Sequence, residues 1–150
     1  MSDTKPIGVA YRDQELDGST ISNSTISGGT ISGAAITGGT IDATGLSFAV
    51  ETVAAAGAAA TTATPITVYG IVTVSGADGT KGVKLPTAAA GRVVILKNLA
   101  AQILKVYPGT DDKINGGTAT TGSLNMAAST SAIYAAYDGE NWFSVPLLPS

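Results

Sequence analysis

Between Leu16 and Leu46 an aliphatic residue returns at every fifth position: Leu16, Ile21, Ile26, Ile31, Ile36, Ile41 and Leu46. Thr, Ser, Gly and Ala fill almost all the places between them. A helix cannot use this period, because five steps of about 100° turn successive aliphatics by about 140° and leave no apolar face. A flat strand cannot use it either, since an odd spacing sends alternate side chains to opposite faces. The period predicts a chain that bends once per repeat, with Gly28, Gly29, Gly33, Gly38 and Gly39 suited to the bends. From Pro65 onward the pattern changes to short runs rich in Val, Ile and Tyr. "ITVYGIVTV", "GVKL", "RVVILKN", "ILKVYP" and "SAIYAAY" are predicted strands. Turn chemistry separates them in "GADGTKG", "NLAAQ", "PGTDD", "INGGT" and "DGEN". Asp138-Gly139 before "WFSV" predicts a hairpin, and Asn115-Gly116 a second one with weaker flanks. Evenly spaced short strands point to a β-sandwich or jelly-roll type domain.

The chain therefore divides into residues 1–17, a five-residue-repeat stalk at 18–47, an Ala-rich linker or first strand at 48–64, and an all-β domain at 65–150. In "VETVAAAGAAATTATP" the Ala content favours helix, but Gly57, the Thr cluster and Pro65 oppose a long one. One copy of the repeat buries too few aliphatic side chains to offset the entropy of ordering its backbone. Several copies around an axis could bury each layer against its symmetry mates, so a parallel homotrimer is expected, with the seven aliphatics as trimer-axis packing. The alternative is a disordered Gly/Ser/Thr linker, although a flexible linker has no reason to keep a period. Residues 1–17 hold six of the 19 charged residues. Tyr11, Arg12, Asp13 and Glu15 in "YRDQELD" are candidate attachment residues, since Tyr and Arg are enriched where interfaces hold tightly. The same segment could instead cap the first Ile layer and keep that end soluble.

Composition narrows the chemistry. Among 150 residues there are 24 Ala but only three Trp or Phe, which predicts a thin, β-branched core. A net charge of −3 gives no reason to expect a nucleic-acid partner. With no Cys and no His, disulfides, thiolate chemistry and the commonest base near neutral pH are excluded. No apolar run approaches a membrane span, and no basic start precedes an apolar run, so a soluble protein without a signal peptide is expected. That leaves the formal sequon Asn23-Ser24-Thr25 without a route to glycosylation.

"GADGTKG" lacks the spacing of a phosphate loop and reads as a surface hairpin. "DDKING" puts Lys113 where a calcium ligand is needed, and Asp111 and Asp112 read as solvated acids in a turn. Trp142 and Phe143 should alternate between core and surface. Tyr69, Tyr107, Tyr134 and Tyr137 read as core or subunit packing before a glycan platform. No cofactor, no metal and no catalytic constellation is expected.

Two resemblances extend this reading. The Ile repeat resembles the pentapeptide repeats of right-handed β-helical solenoids, in which a small residue, any residue, Ile or Leu, Ser or Thr, and Gly or Asn follow one another. That resemblance implies a β-helical stalk at 18–47. The segments "GVKLPTAAAGRVVILKNLAAQILKVYPGTDDKINGG" and "SLNMAASTSAIYAAYDGENWFSV" resemble a β-domain that recurs in bacteriophage virion proteins. Gly82, Leu85, Pro86, Asn98, Val106, Tyr107, Pro108, Ile114, Asn115, Gly116, Asp138, Gly139, Asn141 and Trp142 carry that match. The lead "GVAYRDQELDGSTI" into an Ile repeat also looks like the start of phage fibre and decoration proteins. The resemblance implies a non-enzymatic, oligomeric and commonly trimeric virion protein at the particle surface. Its partners would be itself and the phage major capsid protein, with no nucleic acid and no membrane. A capsid decoration protein or short head fibre is one placement, and a tail fibre or baseplate tip binding a host receptor is the other. The short repeat and single Trp favour decoration.

Overall fold

The computed structural model describes residues 47–147. All the strands form around one apolar core, and no helix occurs among the described residues. The strands are β1 (Ala49–Ala54), β2 (Thr64–Pro65), β3 (Gly70–Ser75), β4 (Gly82–Lys84), β5 (Val93–Asn98), β6 (Leu104–Tyr107), β7 (Lys113–Ile114), β8 (Leu124–Met126), β9 (Ser131–Ala136) and β10 (Asn141–Leu147). They make a six-stranded sheet in the order β1-β3-β5-β9-β10-β7 and a four-stranded sheet in the order β2-β4-β6-β8.

Successive strands from β1 to β9 change sheet at every step, so the chain winds rather than meanders. Ala49 pairs with Gly70 and Ile71 with Ile95 in one sheet, while Thr64 pairs with Val83 and Val83 with Val106 in the other. One coil thus takes 19 to 24 residues, the differences between those paired positions. These pairings are parallel, as is β7 with β10; antiparallel strand pairs are β5–β9, β9–β10 and β6–β8, with one isolated antiparallel bridge between Ala56 and Gly82. The all-β expectation holds, and two sheets over a shared core are consistent with a sandwich. A jelly roll, being antiparallel, does not describe this connectivity. The reason it was not legible is that alternation of period two looks the same in parallel and antiparallel strands.

Alternation does account for the core. Val72 and Val74 of β3, Val94 and Leu96 of β5, and Ala132, Tyr134 and Ala136 of β9 face inward from the larger sheet. Val83, Leu104, Val106 and Met126 meet them from the smaller one. Trp142 is fully buried and Phe143 is 49% exposed, the expected alternation.

The run "ITVYGIVTV" is not one strand. Ile66 still donates its backbone N–H to Lys84 O (2.8 Å), and then the chain turns a corner from one sheet to the other. The corner is held by Glu51, whose carboxylate accepts from the Thr67 backbone N–H and hydroxyl, both at 2.9 Å. Strand propensity favours these residues and cannot see the corner. Of the two readings of residues 48–64, a first strand is present: β1 pairs with β3 along its whole length. β8 is not among the predicted strands, since its Leu-Asn-Met alternates over three residues only and contains no β-branched residue.

Of the two Gly-containing hairpins, one forms. β9 and β10 are antiparallel across Asp138-Gly139-Glu140, but Gly139 is not in a left-handed conformation. The loop is instead closed by the Asp138 carboxylate, which accepts from the backbone N–H of Glu140 (2.8 Å) and Asn141 (2.7 Å). Asn115 (φ 52°) and Gly116 (φ 72°) do form a tight turn, closed by Gly117 N–H donating to Ile114 O at 2.9 Å. It joins no hairpin, since β7 pairs in parallel with β10. "GADGTKG" is likewise no hairpin; it carries the chain from β3 in one sheet to β4 in the other.

Candidate interaction surface

The trimer-axis residues Leu16, Ile21, Ile26, Ile31, Ile36, Ile41 and Leu46 lie outside the described residues. So do the attachment residues Tyr11, Arg12, Asp13 and Glu15. Within the described residues, the positions that carry the phage-virion resemblance are framework positions. Asn98, fully buried at the end of β5, donates from Nδ2 to Gln102 O (2.8 Å) and Ala127 O (3.0 Å) and accepts at Oδ1 from the Ala100 N–H (3.0 Å). It thereby ties the β5–β6 turn to the β8–β9 turn. Gly82 permits the close approach of β4 to β6, because a Cβ there would stand 2.7 Å from Lys105 O and 2.8 Å from the Tyr107 ring. Tyr107 donates to Ala58 O (2.7 Å), and Asn115 bonds the backbone N–H and hydroxyl of Ser144.

Asp112 corrects the reading of a solvated acid. It is 2% exposed, and its Oδ2 accepts the Ala88 N–H at 2.7 Å. Burial raises its pKa above the ordinary 3.8; the Ala88 bond and the nearby Trp142 indole oppose that rise, and Asp111 and Glu140 add to it. The indole N–H nevertheless meets no acceptor within hydrogen-bond geometry. Beside it, Tyr69 stacks on Trp142 with ring centroids 6.5 Å apart, and the Arg92 guanidinium lies 5.1 Å from the Tyr69 centroid. The stack closes one region of the core and needs no ligand to explain it. Asp78 serves locally: Thr80 and Lys81 hydrogen bonds hold its carboxyl well below the usual range, and Lys81 pairs with it at 3.2 Å. Among the described residues no group of His, Cys, Asp or Glu has metal-binding proximity, and no helix is long and apolar enough to cross a membrane.

Two features remain that could meet another molecule. A cleft of about 340 Å³ lies between β8 and the β9–β10 ribbon, lined by Leu124, Met126, Tyr134, Pro146 and Leu147 among others. The Tyr134 hydroxyl has no hydrogen-bond partner, and burial raises its pKa well above the usual phenol value. Pro146 is tolerated there because, among the described residues, β7 pairs β10 only at Asn141 and Trp142 and the later edge of β10 is open.

The second feature is the outward face of the larger sheet. Pairing puts Val50, Ile71, Ile95, Ile133 and Val145 side by side across β1, β3, β5, β9 and β10. Val50 is 70% exposed and Val145 53%. The adjoining row is Val93, Ala135 and Phe143, and Tyr137 meets the Phe143 ring edge-on at 5.8 Å. On the other side, Thr52 and Thr73 join hydroxyl to hydroxyl at 2.9 Å, and the Lys97 ammonium donates to Ser129 O. Tyr107 and Tyr134 are buried, as core packing requires, whereas Tyr137 is exposed on this face. A β-branched residue at one outward position in each of five strands was the available signal, but it needs the register to be seen.

No family model matches the chain, and no curated protein and no solved structure matches it either.

Proposed function

We propose that this is a non-enzymatic bacteriophage virion structural protein: a trimeric capsid decoration protein or short head fibre, attached to the capsid lattice by residues 1–17. In this reading the repeat at 18–47 is a stalk, the β-domain a small sandwich-like knob, and the location the particle surface. The observation that carries it is the unbroken five-residue register from Leu16 to Leu46 running directly into an all-β domain. Support comes also from the phage-type motif residues, which serve as hydrogen-bonding and packing positions rather than as a reaction centre. Tyr11 and Arg12 would supply directional contacts to the capsid, and the acids beside them would set its register.

Deletion of residues 1–15 tests the attachment. The truncated protein should remain a folded trimer and fail to co-sediment with undecorated capsids. If it folds and still decorates them, the attached end is the knob. Quantitative gels of whole particles test the placement, with hundreds of copies expected for decoration and a few tens or fewer for a tail part.

A further inference from the structure

We infer that the outward face of the six-stranded sheet is an interface between copies of this chain, with the Val50–Ile71–Ile95–Ile133–Val145 ladder packed against the same domain of a second protomer. The inference rests on the proposed trimer and assigns a surface to it.

The first ground is area. The exposed portions of the ladder, Val93, Phe143 and Tyr137 come to an apolar surface on the order of 600 Å². Lone monomers rarely show a contiguous apolar patch of more than about 300–600 Å², and a stable interface takes roughly 800 Å² from each partner. The face is thus at the upper end of what lone monomers show and approaches what one protomer contributes to a stable contact.

The second ground is chemistry. Neither the ladder nor the Val93–Ala135–Phe143 row contains a charged residue. Lys97, in the next row, is already engaged by Ser129 O at 2.7 Å. Lys97 and Lys113, the latter paired with Asn141 at the β7 edge, border the patch, so charge lies at its rim and an identical uncharged, β-branched centre is a suitable match for the ladder. Aromatic Phe143 and Tyr137, held edge to face, are the kind of anchors that concentrate interface energy.

The third ground is where the rest of the chain joins. The last aliphatic of the five-residue repeat, Leu46, is followed at once by Phe48 and Val50, 56% and 70% exposed. Any bundle formed by three copies of residues 16–46 delivers three β1 strands to one place, and β1 carries the first rung of the ladder. A host receptor or the capsid protein would have no such reason to be found at β1.

The absence of Cys allows a clean test on the full chain. Single variants Val50→Cys and Val145→Cys, at the two ends of the ladder, are compared with Thr121→Cys on an exposed loop. Each is treated with a bulky maleimide while light scattering records the mass. Burial against a second copy predicts a mass of three chains and labelling at positions 50 and 145 slower than at 121 by more than about tenfold, since reaction must wait for opening. Adding Ile31→Asp, which should dissociate the trimer, should restore fast labelling. A trimeric mass with fast labelling at both ladder positions overturns this inference and leaves the trimer standing. A monomeric mass with fast labelling overturns both. Slow labelling in a monomer also overturns the inference, because the cover would then be the chain's own residues 1–46.

Discussion

Asn98 offers the sharpest test of the fold. Its side chain is fully buried and makes three hydrogen bonds to backbone groups of two different turns. Asn98→Ala removes all three and leaves two carbonyls and one N–H without their partner. Each net bond is worth about 1 kcal/mol, and a stranded buried group costs about 1–3 kcal/mol, so a loss of about 3–5 kcal/mol is expected. In a domain of this size that lowers the melting temperature by on the order of 15 °C. Trp142, the single tryptophan and fully buried, reports unfolding by its fluorescence. In urea, the midpoint should fall with little change in slope. Asn98→Asp should be worse at neutral pH, because a carboxylate would face the Gln102 and Ala127 oxygens that now receive N–H donors. Its protonated form can donate to one of them, so its deficit should shrink as the pH falls. Gln102→Ala is the control, since only the backbone oxygen of that exposed residue is used. An Ala variant within about 1 kcal/mol of the parent, or an Asp variant more stable than the Ala variant at pH 7, would refute the assignment of Asn98 as a tie between the turns.

Gly82→Ala should destabilise by about 1–3 kcal/mol, since its methyl would meet Lys105 O and the Tyr107 ring; a parent-like urea midpoint would contradict the packing of β4 on β6. Asp112 has a folded-state pKa above its unfolded one, so the folded state holds its proton longer as pH rises. Its contribution is therefore fully present below the ordinary value of 3.8 and lost as pH rises through the folded value; relative to Asp112→Asn, the parent should lose stability across that window, and a gain there would show the sign to be wrong. In the repeat, Ile31→Asp should lower the melting temperature of the assembly by placing carboxylates from each copy in an apolar layer, whereas Ser32→Asp should be nearly silent. Equal melting of both variants and the parent would return residues 18–47 to the status of a linker.

What could be seen beforehand was local. β4, β5, β6 and β9 fall inside runs of Val, Ile and Tyr bounded by turn residues, where alternation over several positions states both the strand and its inward face. The burial of Trp142 beside exposed Phe143 follows from the same rule. What could not be seen was pairing at a distance. Asp112 looks solvated in "PGTDDK" because nothing nearby in sequence announces the Ala88 N–H that it meets across 24 residues. Asn98 was visible as a motif residue, while its role depends on Gln102 and Ala127 arriving on either side. The ladder on the outer sheet face is the largest example: Val50, Ile71, Ile95, Ile133 and Val145 come from five strands and become neighbours only through the register.

The winding explains the first part of that ladder. In a coil that changes sheet at each strand, residues one coil apart share a face, so Val50, Ile71 and Ile95 line up into a stripe without any strand being unusual in itself, and the antiparallel β9–β10 ribbon extends it with Ile133 and Val145. Among the described residues the same geometry leaves β1 with one paired edge, toward β3, and one edge open. Natural proteins blunt such an edge with charge, Pro or a bulge, yet "AVETVA" carries only Glu51, and that side chain is committed to the Thr67 corner. An edge strand with an open ladder of hydrogen-bonding groups and exposed Val50 on its outer side is a poor end for a solitary molecule. It is a sound end for one whose first coil is met by further copies of the same chain, and this is why the repeat at residues 16–46 and the apolar sheet face are better explained together than apart.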